Sequence, residues 1–192
     1  MYYITFLPLL LLAALLGAAV WHDVRSRRIP NAIVFYGALL GLTLHLLLPA
    51  GAGLFAAPMG SLGIASSLGG LALGLLVLMP MYAFRLMGAG DVKLLSMVGA
   101  FVGMGAIMPV FVIVLAFGGL LALVFAARQR RLLPLLRNTW QMTLYSGFSA
   151  LSGKMLVAPP LAASGRLPYA IAIAGGTMLC VLSLHFRGTL PL

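Results

Sequence analysis

Glutamate is absent from this 192-residue chain, and only two aspartates, Asp23 and Asp91, supply side-chain carboxylates. Twelve lysines and arginines leave a net charge of +10. Soluble domains intersperse charges of both signs over their surfaces, and this chain has almost no acids to intersperse. The composition therefore argues against a soluble globular protein, and each of the two acids requires its own explanation.

Cysteine is almost as rare. The single cysteine, Cys180, falls inside an apolar run, so the chain can build neither a disulfide framework nor a cysteine-based zinc site. The histidines at positions 22, 45 and 185 do not have the spacing of metal ligands. We therefore predict that the protein holds no metal.

Apolar residues dominate what is present. They make up 63% of the chain against 7% charged residues, and the mean hydropathy is +1.16. These values are typical of a membrane protein with several spans of about 20 residues each. We predict an all-α protein with a single membrane-embedded domain, 1–192, whose first span is retained rather than cleaved as a signal peptide. The predicted spans are approximately 4–21, 32–49, 62–84, 92–103, 107–127 and 167–186, with an interfacial amphipathic segment at 128–166.

The cations indicate the orientation. Most of them lie in the connections after the first, third and fifth spans, which makes those connections cytoplasmic by the positive-inside rule. Both termini then lie outside, and Asp23 and Asp91 lie at the cytoplasmic border of the membrane. Because the cations lie between apolar segments rather than along one polar face, we predict contact with the lipid bilayer and none with nucleic acid.

Glycines four residues apart occur at positions 37 and 41, 70 and 74, and 99 and 103. Such pairs let membrane helices approach closely. Packing within one chain and dimerisation both explain them, so the oligomeric state stays open.

Three short stretches are polar enough to carry chemistry. The first is Asp-Val-Arg-Ser-Arg-Arg-Ile-Pro-Asn at 23–31, the second is Gly-Ala-Gly-Asp-Val-Lys at 88–93, and the third is Arg-Leu-Pro-Tyr-Ala at 166–170. Together with the span pattern they resemble the type IV prepilin peptidases, which are membrane aspartic proteases with a GxGD motif. The chain is most similar to the small branch that serves tight-adherence (Flp) pili.

The resemblance implies an endopeptidase that removes the leader of prepilin-like proteins at the cytoplasmic face. The implied catalytic residues are Asp23 and Asp91, and the implied substrate presents a hydrophobic N-terminal helix and its leader. No cofactor is implied. The cytoplasmic segment with paired cysteines that larger members carry is missing here, which makes methylation of the new N-terminus doubtful.

The chemistry needs both acids. One carboxylate takes a proton from water while its protonated partner polarises the scissile carbonyl, so the pair shares one proton. Asp91 begins the fourth helix, where the positive end of the helix dipole and Lys93 favour the anion, although burial opposes it. We expect Asp91 to be the more often ionised of the two.

Four neighbouring residues are candidates for support of the site. Gly88 and Gly90 let a substrate backbone approach Asp91, or they simply form a flexible turn. Arg25 and Lys93 position the substrate or balance the charge of the pair, with ordinary positive-inside anchoring as the favoured alternative.

Each polar motif also has a purely structural interpretation. Pro30 and Asn31 most simply start a helix that Asn31 caps. Asp91 alone fits an N-cap, and Asp23 alone fits an ion pair with Arg25 or Arg27 in a solvated loop.

Three other functions are compatible with two acids in a membrane. An intramembrane protease of the presenilin kind also uses GxGD, but its first aspartate lies within a span. A small ion- or proton-coupled transporter places its acids near the midplane on broken helices. A structural subunit tolerates the loss of both acids.

Overall fold

The computed structural model describes residues 6–56, 58–84, 87–128 and 169–189. Within these ranges the chain forms α-helices and no β-strand, which confirms the predicted all-α architecture. The six helices are α1 (Leu7–Ser26), α2 (Asn31–Leu47), α3 (Ile64–Ala83), α4 (Ala89–Val102), α5 (Met104–Arg128) and α6 (Tyr169–Arg187).

Four of these helices are long and apolar enough to cross a membrane. They are α1, α3, α6 and the stretch Met104–Phe125 of α5. Helix α2 is also apolar but has 17 residues, and α4 has 14. The protein is therefore a multi-pass membrane protein in which α2 and α4 are shorter than a typical span.

The chain divides into two compact units. The first consists of residues 1–118 and 168–192, and the second of residues 119–167. Of the second unit the structure describes 119–128, the last turns of α5. The interfacial segment predicted at 128–166 thus lies outside the described residues, apart from Arg128. Both aspartates belong to the first unit.

Helix α4 lies at the centre of the first unit. Every residue from Leu94 to Val102 is buried, and so is Gly103, where the helix ends with a φ of +78°. Helices α1, α2, α3 and α6 all pack against α4, and α3 makes the most extensive contact. An all-round apolar helix of this kind belongs inside a bundle.

The close approach of α3 and α4 depends on glycine. A Cβ atom on Gly70 would collide with the Gly99 carbonyl oxygen, and one on Gly99 would collide with the Gly70 carbonyl oxygen. Two serines strengthen the same contact: Ser67 Oγ donates to the Ala100 carbonyl at 2.6 Å, and Ser96 Oγ donates to the Leu71 carbonyl at 2.8 Å. The small-residue surface holds two helices of one chain together.

The other glycine pairs also face α4. A Cβ on Gly74 would lie 2.7 Å from the Leu95 carbonyl oxygen, and one on Gly41 would lie 3.0 Å from the Phe101 ring. Gly37 lies against Met97. Packing within the chain is thus a sufficient reason for all three pairs.

His45 joins three segments at the end of α2. Its Nδ1 accepts the Leu62 amide proton at 3.1 Å, so the proton on Nε2 is available for the Phe101 carbonyl at 3.1 Å. The ring is 2% exposed. Ser61 Oγ donates to the His45 carbonyl and accepts the Gly63 amide proton. Helix α2, the connection to α3 and the end of α4 are therefore held together by one neutral imidazole.

Candidate active site

Asp91 lies in the first turn of α4, where it closes the start of its own helix. Its Oδ2 accepts the Gly88 amide proton at 3.3 Å, and its amide donates to the Gly88 carbonyl at 3.2 Å. A Cβ on Gly88 would lie 3.3 Å from the same Oδ2. The carboxylate therefore acts as the reciprocal partner of a helix cap, and it is half-buried.

Asp23 lies one turn before the end of α1, within the helix rather than in a solvated loop. The helix continues beyond the predicted end of the span at Trp21, and two hydrogen bonds stabilise its last turn. Arg27, with a φ of +52°, donates its amide proton to the Asp23 carbonyl at 2.8 Å. Ser26 Oγ donates to the His22 carbonyl at 2.7 Å. These bonds fix the backbone that carries the Asp23 side chain.

A third helix also reaches Asp23. The backbone N–H of Ala170, in the first turn of α6, points to Asp23 Oδ2 at 3.4 Å. The sequence marks 166–170 as a polar stretch but gives no sign of which residue it contacts. The start of a helix has backbone amides without partners, and this is the one feature of the stretch that points to an acid as its contact.

The two carboxylates interact electrostatically. Burial first, and then the negative charge of Asp23, raise the pKa of Asp91 to about 6, against the opposing effect of the Gly88 hydrogen bond. Asp91 therefore holds its proton up to a pH of about 6. The expectation that Asp91 is the more often ionised acid stays a prediction, and the raised pKa of Asp91 counts against it.

The start of α2 is tied to the start of α4. Lys93 Nζ donates to Asn31 Oδ1 at 3.0 Å. Pro30, not Asn31, occupies the N-cap position, and the Asn31 side chain makes no capping bond. The predicted cap at Asn31 is therefore wrong: with its side-chain oxygen turned to Lys93, Asn31 serves as a link between helices.

The remaining support candidates have simpler surroundings. A Cβ on Gly90 would lie 3.3 to 3.4 Å from Ile29 side-chain atoms, so Gly90 lets the α1–α2 connection approach the start of α4. Arg25 is exposed on the last turn of α1. The structure brings Gly88, Gly90, Lys93 and Asn31 to the Asp91 turn, and it leaves Arg25 on the surface.

Tyr169 is a further residue at this end of the helices. It begins α6, is half-buried, and lies close enough to Asp91 for that carboxylate to act on its hydroxyl electrostatically. Its hydroxyl and ring rest over Gly118 of α5, where a Cβ would lie 2.6 Å from the hydroxyl oxygen. Sequence reasoning quoted this tyrosine without giving it a role.

A family model described as "Type IV leader peptidase family" matches residues 10–123. The chain belongs to this family. It is thus a protease of the type IV leader peptidase kind that resides in a membrane. The matched region includes both aspartates and all the support candidates, and it ends before α6. No curated protein and no solved structure matches the chain.

The two carboxyl groups are suited to acid–base chemistry. In the described part of the chain no three histidine, cysteine or acidic side chains come together as a metal-binding group. A half-buried carboxyl whose pKa is raised by a second carboxyl is the arrangement that general acid–base hydrolysis requires.

Proposed function

We propose that this protein hydrolyses the leader peptide of prepilin-like proteins at the cytoplasmic face of the inner membrane, with Asp23 and Asp91 as an aspartic dyad that activates water. The observation that carries the proposal is the electrostatic interaction of the two carboxylates, which come from α1 and α4, 68 residues apart in the sequence. Family membership supports a leader peptidase, and the composition offers no other carboxylate side chain.

The dyad would work with one shared proton. The ionised carboxylate takes a proton from a water molecule, the resulting hydroxide attacks the scissile carbonyl carbon, and the protonated carboxyl gives its proton to the carbonyl oxygen. Collapse of the tetrahedral intermediate breaks the C–N bond: the leaving amine takes the proton that came from water, and the hydroxyl that becomes the new carbonyl returns its proton to the other carboxylate. The raised pKa of Asp91 supports the availability of its proton near pH 6.

The position of the dyad suits a substrate that arrives from the bilayer. Asp23 is near the end of α1, Asp91 begins α4, and Ala170 begins α6, so all three lie at one end of the helices. A pilin precursor has its leader where its hydrophobic helix leaves the membrane. Juxtamembrane carboxylates can reach that amide bond after a few residues unwind, without opening the middle of a span.

The cations at the same end support a cytoplasmic location. Arg25, Arg27 and Arg28 surround the end of α1, and positively charged connections remain on the cytoplasmic side. With this orientation both termini lie outside. The spacing of the motifs supports the tight-adherence (Flp) branch, with a prepilin and the lipid bilayer as partners and without a cofactor.

The test is cleavage of a purified prepilin by the purified protein in proteoliposomes. Asp23→Asn and Asp91→Asn each keep the side-chain shape but remove the acid, and each is expected to lower cleavage at least a thousandfold while the protein still accumulates in the membrane. Arg187→Gln, a charge change at the opposite end of α6, is the control and is expected to cleave normally. Wild-type cleavage by Asp91→Asn would overturn the mechanism.

Mapping the cleaved bond separates the related functions. A cut between the leader and the hydrophobic helix supports a prepilin peptidase, and a cut within the helix identifies a presenilin-like protease. Ion flux that is lost in both asparagine variants, without any cleavage by the wild type, identifies a transporter.

A further inference from the structure

The start of α6 lies outside the region matched by the family model, yet it contacts one of the two acids. The first four amides of a helix have no partner within the helix, and the positive end of the helix dipole favours an anion there. Ala170 uses one of these amides to reach Asp23 Oδ2 at 3.4 Å. Asp23 thus has a donor that belongs to another helix, whereas Asp91 bonds to Gly88 at the start of its own.

The place of this turn is set by its contact with α5. Tyr169 fits over Gly118 because that residue has no side chain: a Cβ there would lie 2.6 Å from the tyrosine oxygen and 2.9 Å from Cζ. Below it, Gly175 lies against Phe117 and Gly176 against Val114. Ala170 itself is fully buried. The amide that reaches Asp23 is therefore held by a close-packed contact rather than by a mobile end.

Other titratable and charged groups lie at this end of the helices. The described titratable and charged groups there are on the last turns of α1 and just after it, on the first turns of α4, and on the first residue of α6: His22, Arg25, Arg27, Arg28, Asp91, Lys93 and Tyr169. Lys93 bonds to Asn31. Asp23 accepts the Ala170 amide and Asp91 accepts the Gly88 amide, so the two carboxylates have different backbone donors.

We propose that the first turn of α6 assigns the roles within the dyad: the Ala170 amide holds Asp23 as the ionised carboxylate that activates water, and Tyr169, resting over Gly118, is the positioning residue that keeps this amide in place. Asp91 then serves as the acid that protonates the carbonyl oxygen. This inference rests on the proposed function, and the raised pKa of Asp91 agrees with it.

Removal of the amide proton is the direct test. Ala170→Pro deletes the donor at a position in the first helical turn, where proline is tolerated. The measurement is the pH dependence of leader cleavage. Without the donor Asp23 takes up a proton more readily, so the acidic limb of the profile is expected to move to higher pH by about one unit. The alkaline limb, set by Asp91, is expected to move less.

A complementary variant tests the other acid. Gly88→Pro deletes the amide proton that Asp91 accepts, and the φ of −78° at Gly88 is compatible with proline. Loss of this donor favours the protonated form of Asp91. The alkaline limb is expected to move to higher pH while the acidic limb stays in place, which is the opposite pattern to Ala170→Pro. The same limb moving in both variants would overturn the assignment.

Two further variants show whether a shift of the acidic limb comes from the lost donor or from misfolding. Replacement of Ala170 by lactic acid, introduced as an α-hydroxy acid during translation, converts the amide to an ester and keeps the side chain. It is expected to reproduce the shift of the acidic limb. Gly118→Ala pushes on the Tyr169 hydroxyl and is expected to move the acidic limb in the same direction. Gly105→Ala, in the same helix and with open space among the described residues, is the matched control.

The outcomes separate this inference from the proposed function. If the wild type cleaves prepilin and Asp91→Asn does not, but the proline and ester variants both keep the wild-type acidic limb, the role of α6 is overturned and the aspartic dyad stands. If the wild type cleaves no prepilin under any condition, the proposed function itself fails.

Discussion

Lys93 donates a hydrogen bond to Asn31 across 62 residues of sequence and thereby joins the first turn of α4 to the first turn of α2. Asp91 lies two residues before Lys93, in the same turn. The link is exposed, so its contribution to the free energy of unfolding is small, at most about 1 kcal/mol. Loss of the link should instead change the position of the turn that carries Asp91.

We expect Lys93→Met and Asn31→Ala each to lower leader cleavage about two- to tenfold, because each removes one end of this link. The double variant should be no slower than either single variant, since the link can be lost only once. Cleavage rates for the four proteins form a double-mutant cycle. If the loss of rate in the double variant equalled the product of the two single losses, Lys93 and Asn31 would act independently.

The raised pKa of Asp91 predicts how activity depends on pH. An acid that must donate its proton works below its pKa, so leader cleavage is expected to fall as the pH rises through about 6. Bound substrate excludes water and moves this limb further upward. The measurement is the initial rate of cleavage between pH 4.5 and 8.5. A rate that climbs steadily across pH 6 to 8 would contradict the assignment of Asp91 as the acid.

The same carboxyl reduces stability at neutral pH. The folded chain keeps the Asp91 proton up to about pH 6, whereas the free carboxyl releases it near 3.8. Raising the pH through this window therefore destabilises the folded protein. Asp91→Asn is expected to melt a few degrees higher than the wild type at pH 7.5, and the difference should vanish at pH 4. If Asp91→Asn and the wild type had equal melting temperatures at both pH values, ionisation of Asp91 would not destabilise the folded protein.

The contact between α3 and α4 predicts that replacing one of its glycines by alanine lowers the free energy of unfolding. Gly99→Ala places a methyl group against the Gly70 backbone, which cannot move aside as a flexible side chain could. We expect destabilisation by at least about 1 to 3 kcal/mol and a low yield of monodisperse protein. Gly17→Ala, in α1 and with open space among the described residues, should behave like the wild type. Thermal unfolding in detergent compares the two.

The buried imidazole of His45 predicts a loss of stability that is independent of the catalytic pair. His45→Ala leaves the Leu62 amide and the Phe101 carbonyl without their partner, at about 1 to 3 kcal/mol for each unsatisfied group. His22→Ala, at an exposed position, is the control for stability. A His45→Ala protein with an unchanged melting temperature would mean that water replaces both bonds.

The helical architecture was predictable because hydropathy and span length depend on local composition. Runs of about 20 apolar residues separated by short polar stretches leave few alternatives in a membrane. The end of α1 was less predictable. The helix continues past Trp21 through Asp23 to Ser26 and ends where Arg27 adopts a left-handed conformation, which a polar stretch of sequence does not reveal.

The surroundings of the two acids could be predicted only in part. Their presence in polar motifs at the ends of apolar runs is a property of the sequence. The protonation of Asp91 is not, because it depends on burial and on a charge from another helix. The Ala170 amide and the position of Tyr169 over Gly118 also escaped prediction, since they are contacts between segments far apart in the chain.

The enclosure of α4 has a consequence for how the protein is made. A helix that touches its neighbours on every side needs no affinity for lipid of its own, and α4 is neither long enough to cross a bilayer nor free of charge in its first turn. It is poorly suited to leave the translocation channel alone. Its glycines and serines match α3, which is synthesised just before it. The two helices should enter the membrane as a pair, so the acid at the start of α4 reaches its place only when α3 is already there to receive it.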